Sequence, residues 1–175
     1  MYKYAGIGAR KTPKDFLDLM ERVAFFLSKN NILLRSGGAD GADNYFEKGC
    51  DRGFGNKEIF LPWKGFNKSN SNLIVSEKAF QIAESYHSNW QNLKWSVKSL
   101  FSRNVHQILG YELNDPVNFV LCWTENGLGK GGTGFALSIA KKQGIPIFDM
   151  GKYSNVSDCR EDLIIFLKKQ NISNL

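Results

Sequence analysis

Three glycine-rich stretches hold the residues of this chain whose types and spacing point to chemistry. The most informative is Ser36-Gly37-Gly38-Ala39-Asp40-Gly41-Ala42-Asp43, which follows the apolar run Ile32-Leu33-Leu34 and precedes a helix-like run from Asn44 to Arg52. Glycines let the backbone turn sharply and let a ligand approach the main chain closely. Free N–H groups at a helix start attract anions, and the helix dipole adds to that attraction. A strand, a glycine turn and a helix start in that order suit a phosphate in an α/β protein. A tight strand-to-helix turn with capping aspartates has the same composition, so this stretch alone leaves both readings open.

The device recurs. Gly6-Ile7-Gly8-Ala9-Arg10 closes an opening apolar run, and Thr12, Pro13 and Asp15 then form a helix-start signal with Thr12 as the expected cap. Gly127-Leu128-Gly129-Lys130-Gly131-Gly132-Thr133-Gly134 follows Phe119-Val120-Leu121-Cys122-Trp123 and precedes a helix-like run from Phe135 to Gln143. In an open parallel sheet such loops gather at the carboxyl ends of the strands, where ligands bind.

Charged side chains sit beside these loops. Arg10 and Arg103 have the planar fork that grips phosphate oxygens two at a time, although either could be an ordinary surface ion-pair partner. Asp40, Asp43 and Glu47 lie three and four residues apart, on one side of the expected helix. Acid–base catalysis, a magnesium ion and ribose hydroxyls all suit such a set, and so does plain stabilisation of a helix start. Asp40 lies in the turn itself and is the single candidate for a catalytic residue. His106, three residues after Arg103, reads as structural.

Two nucleotide-binding motifs are weak or excluded. Gly127 to Gly132 spells GxGxxG, and Asp149 lies 17 residues beyond it. However, Thr124-Glu125-Asn126 separate the strand from the first glycine, whereas a dinucleotide fingerprint needs that glycine at the strand end. Lys130 precedes glycine rather than Ser or Thr, which excludes a Walker A loop.

These loops need a scaffold, and the pattern supplies one. Strands are expected near 2–7, 32–36, 57–61, 117–123 and 145–149, with helices near 13–30, 41–52, 74–86, 93–109, 133–143 and 157–170. Phe16, Met20, Val23, Ala24 and Leu27 give the first helix one apolar face. Alternation of this kind means an α/β fold: a Rossmann-like domain with a mostly parallel sheet and helices on both faces. At 175 residues the chain reads as a single domain, 1–175. Pro62 to Asn72 reads as a surface loop able to close over a ligand, and residues 171–175 as a frayed end.

Composition narrows the partners. No apolar run approaches the roughly 20 residues needed to span a bilayer. Cys50, Cys122 and Cys159 are widely spaced and odd in number, which fits reduced thiols in a cytoplasm. With two histidines and no CxxC, no metal site and no cofactor are expected. The net charge is +6, and residues 56–110 hold seven basic against three acidic side chains. Trp63, Phe66, Tyr86, Trp90 and Trp95 interleave with them, a mixture that binds phosphates and stacks bases or simply clothes an aromatic core.

In these stretches the chain resembles the SLOG superfamily, which contains the DNA-processing protein DprA and the Lonely Guy nucleotide hydrolases. Gly6 to Arg10, Ser36 to Asp43, Arg103-Asn104 and Gly131 to Gly134 carry the resemblance in the family's order. Leu61-Pro62-Trp63 and Cys122-Trp123-Thr124 look closest to small DprA-like proteins of bacteriophages, which would place it in a host cytoplasm. The resemblance implies a site drawn from Gly8, Arg10, Ser36, Gly37, Gly38, Ala39, Asp40 and Asp43. Trp63, Arg103, Asn104, Trp123, Gly131, Gly132 and Thr133 complete it, with a tryptophan over the base. The expected ligand is a nucleotide or nucleotide-derived small molecule. Single-stranded DNA, a homo-oligomeric partner and an N-glycosidic hydrolase stay open as alternatives. The hydrolase glutamate has no counterpart, because Leu137 and Ser138 stand in its place.

Overall fold

A computed structural model describes residues 1–172. The strands are β1 (Lys3–Gly8), β2 (Leu33–Ser36), β3 (Lys57–Leu61), β4 (Leu73–Ile74), β5 (Phe119–Trp123) and β6 (Ile147–Asp149). The helices are α1 (Lys14–Lys29), α2 (Ala42–Arg52), α3 (Glu77–Ser85), α4 (Trp95–Leu109), α5 (Gly131–Lys142) and α6 (Val156–Lys169). All neighbouring strands run parallel, in the order β4-β3-β2-β1-β5-β6. The chain steps outward from β1 to β4, then returns to the other side of β1 as β5. Strand order therefore reverses between β1 and β5, the place where open α/β sheets bind ligands.

Strand alternation divides the core. Tyr4, Leu34, Phe119, Leu121 and Trp123 face α1, α2 and α6. Ala5, Ile7, Val120 and Cys122 face α4 and α5. Every residue of β5 is buried, which is why its sequence is a continuous apolar run rather than an alternating one. A smaller cluster of Ala39, Ile59, Leu61 and Phe66 fills the end near β3, with Trp63, Ile74 and Leu100 packed on it.

The departures from expectation are local. Residues 73–74 form a short edge strand rather than the start of a helix. Val75 N–H donates to Leu61 O at 3.0 Å, and Ser76 Oγ then caps α3 by accepting from Ala79 N–H at 3.3 Å. Thr12 does not cap α1; its hydroxyl donates back to Ala9 O at 2.7 Å and closes the turn after β1. Residues 62–72 are fastened down, with Asn67 Nδ2 donating to Gly38 O at 3.0 Å and Ser71 Oγ to Ile59 O at 2.6 Å. Ile172 is buried rather than frayed, and residues 173–175 lie outside the described residues. Among the described residues no helix is long and apolar enough to cross a membrane.

Candidate functional site

The β1 and β2 loops are locked together by the first turn of α2. Gly41 adopts φ +84°, and a Cβ there would lie 2.7 Å from Arg10 Cα, so only glycine lets the two loops touch. Asp43, one residue into α2, is buried and ties both loops together. Its Oδ1 accepts from Gly8 N–H at 3.3 Å and its Oδ2 from Ala39 N–H at 3.4 Å. Arg103 reaches in from α4, and its Nη1 donates to Asp43 Oδ2 at 3.2 Å and to Gly37 O at 2.7 Å. A Cβ on Gly37 would fall 1.5 Å from that nitrogen, so the glycine is what admits the guanidinium. Burial pushes the Asp43 carboxyl above its ordinary range, against the downward pull of Arg103 and the backbone amides. Arg103 stays charged, because guanidinium titrates far above neutral pH.

The third glycine stretch is positioned from β6. Asp149 Oδ1 accepts from Thr124 N–H at 2.9 Å and Gly151 N–H at 3.0 Å, while its Oδ2 accepts the Thr124 hydroxyl. Thr124 Oγ1 in turn accepts from Gly129 N–H at 2.9 Å. Asp149 is thus committed to the loop after β5. Gly131 and Gly132 are not a loop before α5 but its first turn, and Asn104 Nδ2 holds that turn by donating to Gly132 O at 2.8 Å. No side chain caps this helix start, and its first turn carries no acidic residue.

These elements enclose a cleft of about 460 Å³ at the carboxyl ends of β1 and β5. Gly8, Arg10, Ala39, Asp43, Arg103, Asn104, Gly131, Gly132 and Thr133 line it. A Cβ at Gly131 or Gly132 would meet nothing within 4 Å, so that turn faces open space. Arg10, Lys11, Arg103 and Lys130 outnumber the two lining carboxylates, Asp43 and Glu125, and Arg103 already neutralises Asp43. Two buried side-chain donors in the wall, Arg103 Nε and Gln107 Nε2, have no hydrogen-bond partner. An unsatisfied buried donor costs about 1–3 kcal/mol of stability.

Six of the expected residues lie outside this lining. Ser36 Oγ donates to Gly6 O at 2.7 Å, inside the protein. Gly37 sits beneath Arg103, and Gly38 opens onto a separate depression shared with Asn67. Asp40 is exposed, accepting at most a long 3.4 Å contact from Asn44. Trp123 packs in the core beneath α1 and α2 and cannot cover a base from the cleft. Trp63 lies along the surface, against Phe66 and Trp95. Glu47 pairs with Lys57 at 2.7 Å, so the three carboxylates read on one helix side have separate roles. Among the described residues no group of three or more His, Cys, Asp or Glu could hold a metal ion. Leu137 is buried in the core and Ser138 Oγ donates to Phe135 O.

Gln107, Lys11, Thr124 and Lys130 line the cleft without having been anticipated. Gln107 carried a signal, since it lies four residues after Arg103 and so on the same face of α4.

Comparison with known proteins rests on the fold. No protein-family model matches the sequence, and no curated protein is detectably similar to it. Two solved structures are similar. The DNA processing protein A (DprA) of Streptococcus pneumoniae superposes with a TM-score of 0.56 at 20% identity, covering 85% of this chain and 50% of that one. The DprA of Helicobacter pylori, described for its single-stranded DNA binding mode, gives 0.56 at 19% identity over 97% of this chain and 73% of that one. The chain therefore spans about half the length of the first of these proteins. Its architecture is the Rossmann-type parallel α/β fold of DprA proteins.

Proposed function

We propose that the cleft binds the phosphate of a nucleotide unit and that the physiological ligand is single-stranded DNA. The observation that carries this reading is the convergence, at one switch-point cleft, of an uncapped helix start that faces open space with the cationic side chains of Arg10, Lys11, Arg103 and Lys130. A phosphate supplies acceptors to all of them at once. Arg10, Lys11 and Lys130 would neutralise its charge and that of its neighbours along a strand.

The net charge of +6 and the likeness to DprA, whose Helicobacter pylori member binds single-stranded DNA, support a polymer as the ligand. The cleft volume supports a second reading, a free nucleotide or nucleotide derivative, because about 300–1,000 Å³ is the usual range for a small-molecule pocket. Calorimetry with a panel of nucleoside phosphates, beside anisotropy with a labelled oligonucleotide, tests the proposal. Oligonucleotide binding that excess mononucleotide displaces only weakly is the expected result. Tight mononucleotide binding with no oligonucleotide binding would assign the cleft to a free nucleotide.

A further inference from the structure

The wall of the cleft runs on into an aromatic surface. Ala39 lines the cleft and belongs to the cluster on which Trp63 packs, and Leu100, which also lines the cleft, packs on the same cluster. Phe66 stands edge-on beneath Trp63, with centroids 5.2 Å apart and planes at 89°. Trp95, the first residue of α4, lies over Trp63 at 5.7 Å with planes 30° apart. Trp95 is 62% exposed, which leaves a large indole surface open to water. Lys64 and Lys94, each adjacent in sequence to one of these tryptophans, are exposed as well. The first turn of α4 has neither an acidic residue nor a side-chain cap.

We infer that Trp95, backed by Trp63, is a stacking platform for a base of single-stranded DNA whose phosphate backbone enters the cleft. This rests on the reading of the cleft given above and extends it to a second nucleotide position. An indole presented to solvent on a rigid aromatic support offers a π-face to any base, and flanking lysines match the phosphates on either side. A protein partner would need apolar surface of its own against the two lysines, which strand phosphates instead complement. The inference places the bound phosphate and the stacked base on different nucleotides of one strand, so it predicts a length requirement.

The test measures binding of a nucleoside bisphosphate and of oligothymidylates of increasing length to the wild type, Trp95→Ala, Trp95→Phe and Gly132→Val. Trp95 is exposed at a helix start, so its removal leaves the core intact. Trp95→Ala is expected to leave bisphosphate binding unchanged and to weaken the longer oligothymidylates about 5- to 150-fold, the range for one stacked base. Trp95→Phe should recover most of that loss. Equal affinity of wild type and Trp95→Ala at every length would overturn the platform, while loss in Gly132→Val would still uphold the cleft. Loss in Trp95→Ala but not in Gly132→Val would uphold the platform and remove the cleft reading. A wild-type dimer that Trp95→Ala turns into a monomer, with DNA binding unaltered, would assign the surface to a second copy of the chain and overturn the inference.

Discussion

Arg103 and Asp43 form a buried ion pair at 3.2 Å in which the same guanidinium nitrogen also donates to Gly37 O. The pair joins α4 to the β2 loop and, through Asp43, to the end of β1. One nitrogen of the arginine fork is thus committed to architecture, and Nε is buried without a hydrogen-bond partner. Asp43→Ala is therefore expected to cost about 3–5 kcal/mol of stability, the range for stranding a buried charge. Asp43→Ala combined with Arg103→Leu should recover part of that loss. Urea denaturation of the single and double variants measures both, and a stable Asp43→Ala protein would mean that the pair contributes little.

Gly37 and Gly132 are expected to separate folding from binding. Gly37→Ala drives a Cβ into Arg103 Nη1 and should destabilise the protein strongly. A Cβ at Gly132 would meet no protein atom within 4 Å, so Gly132→Val should melt within a few degrees of wild type. It fills the mouth of α5 instead, and should abolish binding of phosphate ligands. Calorimetry on the folded Gly132→Val variant decides it: retained affinity would show that the helix start is not the phosphate cradle.

The scaffold was legible because its residues repeat a simple physical pattern. Each glycine loop lies between an apolar run and an amphipathic one, whereas the reversal of strand order between β1 and β5 is visible only in the structure. Short elements were not legible. Leu73–Ile74 is too brief for any periodicity to appear, and the glycines that open α5 look like a loop because glycine disfavours helix. The direction of Trp123 was hidden because β5 is buried on both faces and shows no alternation. Gln107, by contrast, was open to a spacing argument. What no pattern could supply is that Arg103 turns one nitrogen of its fork inward, since that depends on Gly37 meeting α4 across 66 residues of sequence.

His106 should give the fold a mild acid sensitivity. Its ring is buried between Phe60 and Tyr111, with Nε2 accepting from Ser76 N–H at 3.1 Å and Nδ1 donating to Gly110 O at 3.0 Å. Burial, with a contribution from Arg35, holds its pKa below the ordinary 6.5. The unfolded chain therefore binds the proton first. The histidine's contribution is complete above about pH 6.5 and is lost as pH falls through the lower folded value. Stability should decline between pH 7 and pH 5 by at most about 1.4 kcal/mol per pH unit from this group, the value for one proton. Denaturation curves of wild type and His106→Gln across that range test it. Parallel curves would show that another group is responsible.

Salt dependence should distinguish a strand from a single nucleotide at the cleft. A polymer whose phosphates are neutralised by Arg10, Lys11, Lys130 and the lysines beside the tryptophans releases counterions on binding. Each phosphate contact contributes about −0.7 to the slope of log affinity against log salt for single strands. A free nucleotide engages fewer cations and should give a shallow slope. Oligonucleotide binding is therefore expected to weaken steeply with salt, while Arg10→Ala and Lys130→Ala each flatten the slope by about 0.7. Trp95→Ala should lower affinity with the slope unchanged, because stacking releases no counterions. Anisotropy titrations across a salt series measure all three. A flat slope in the wild type, with affinity for one nucleotide matching that for an oligonucleotide, would make the free nucleotide the ligand of the cleft. An unaltered slope in Arg10→Ala and Lys130→Ala would move the strand away from the β1 and α5 loops.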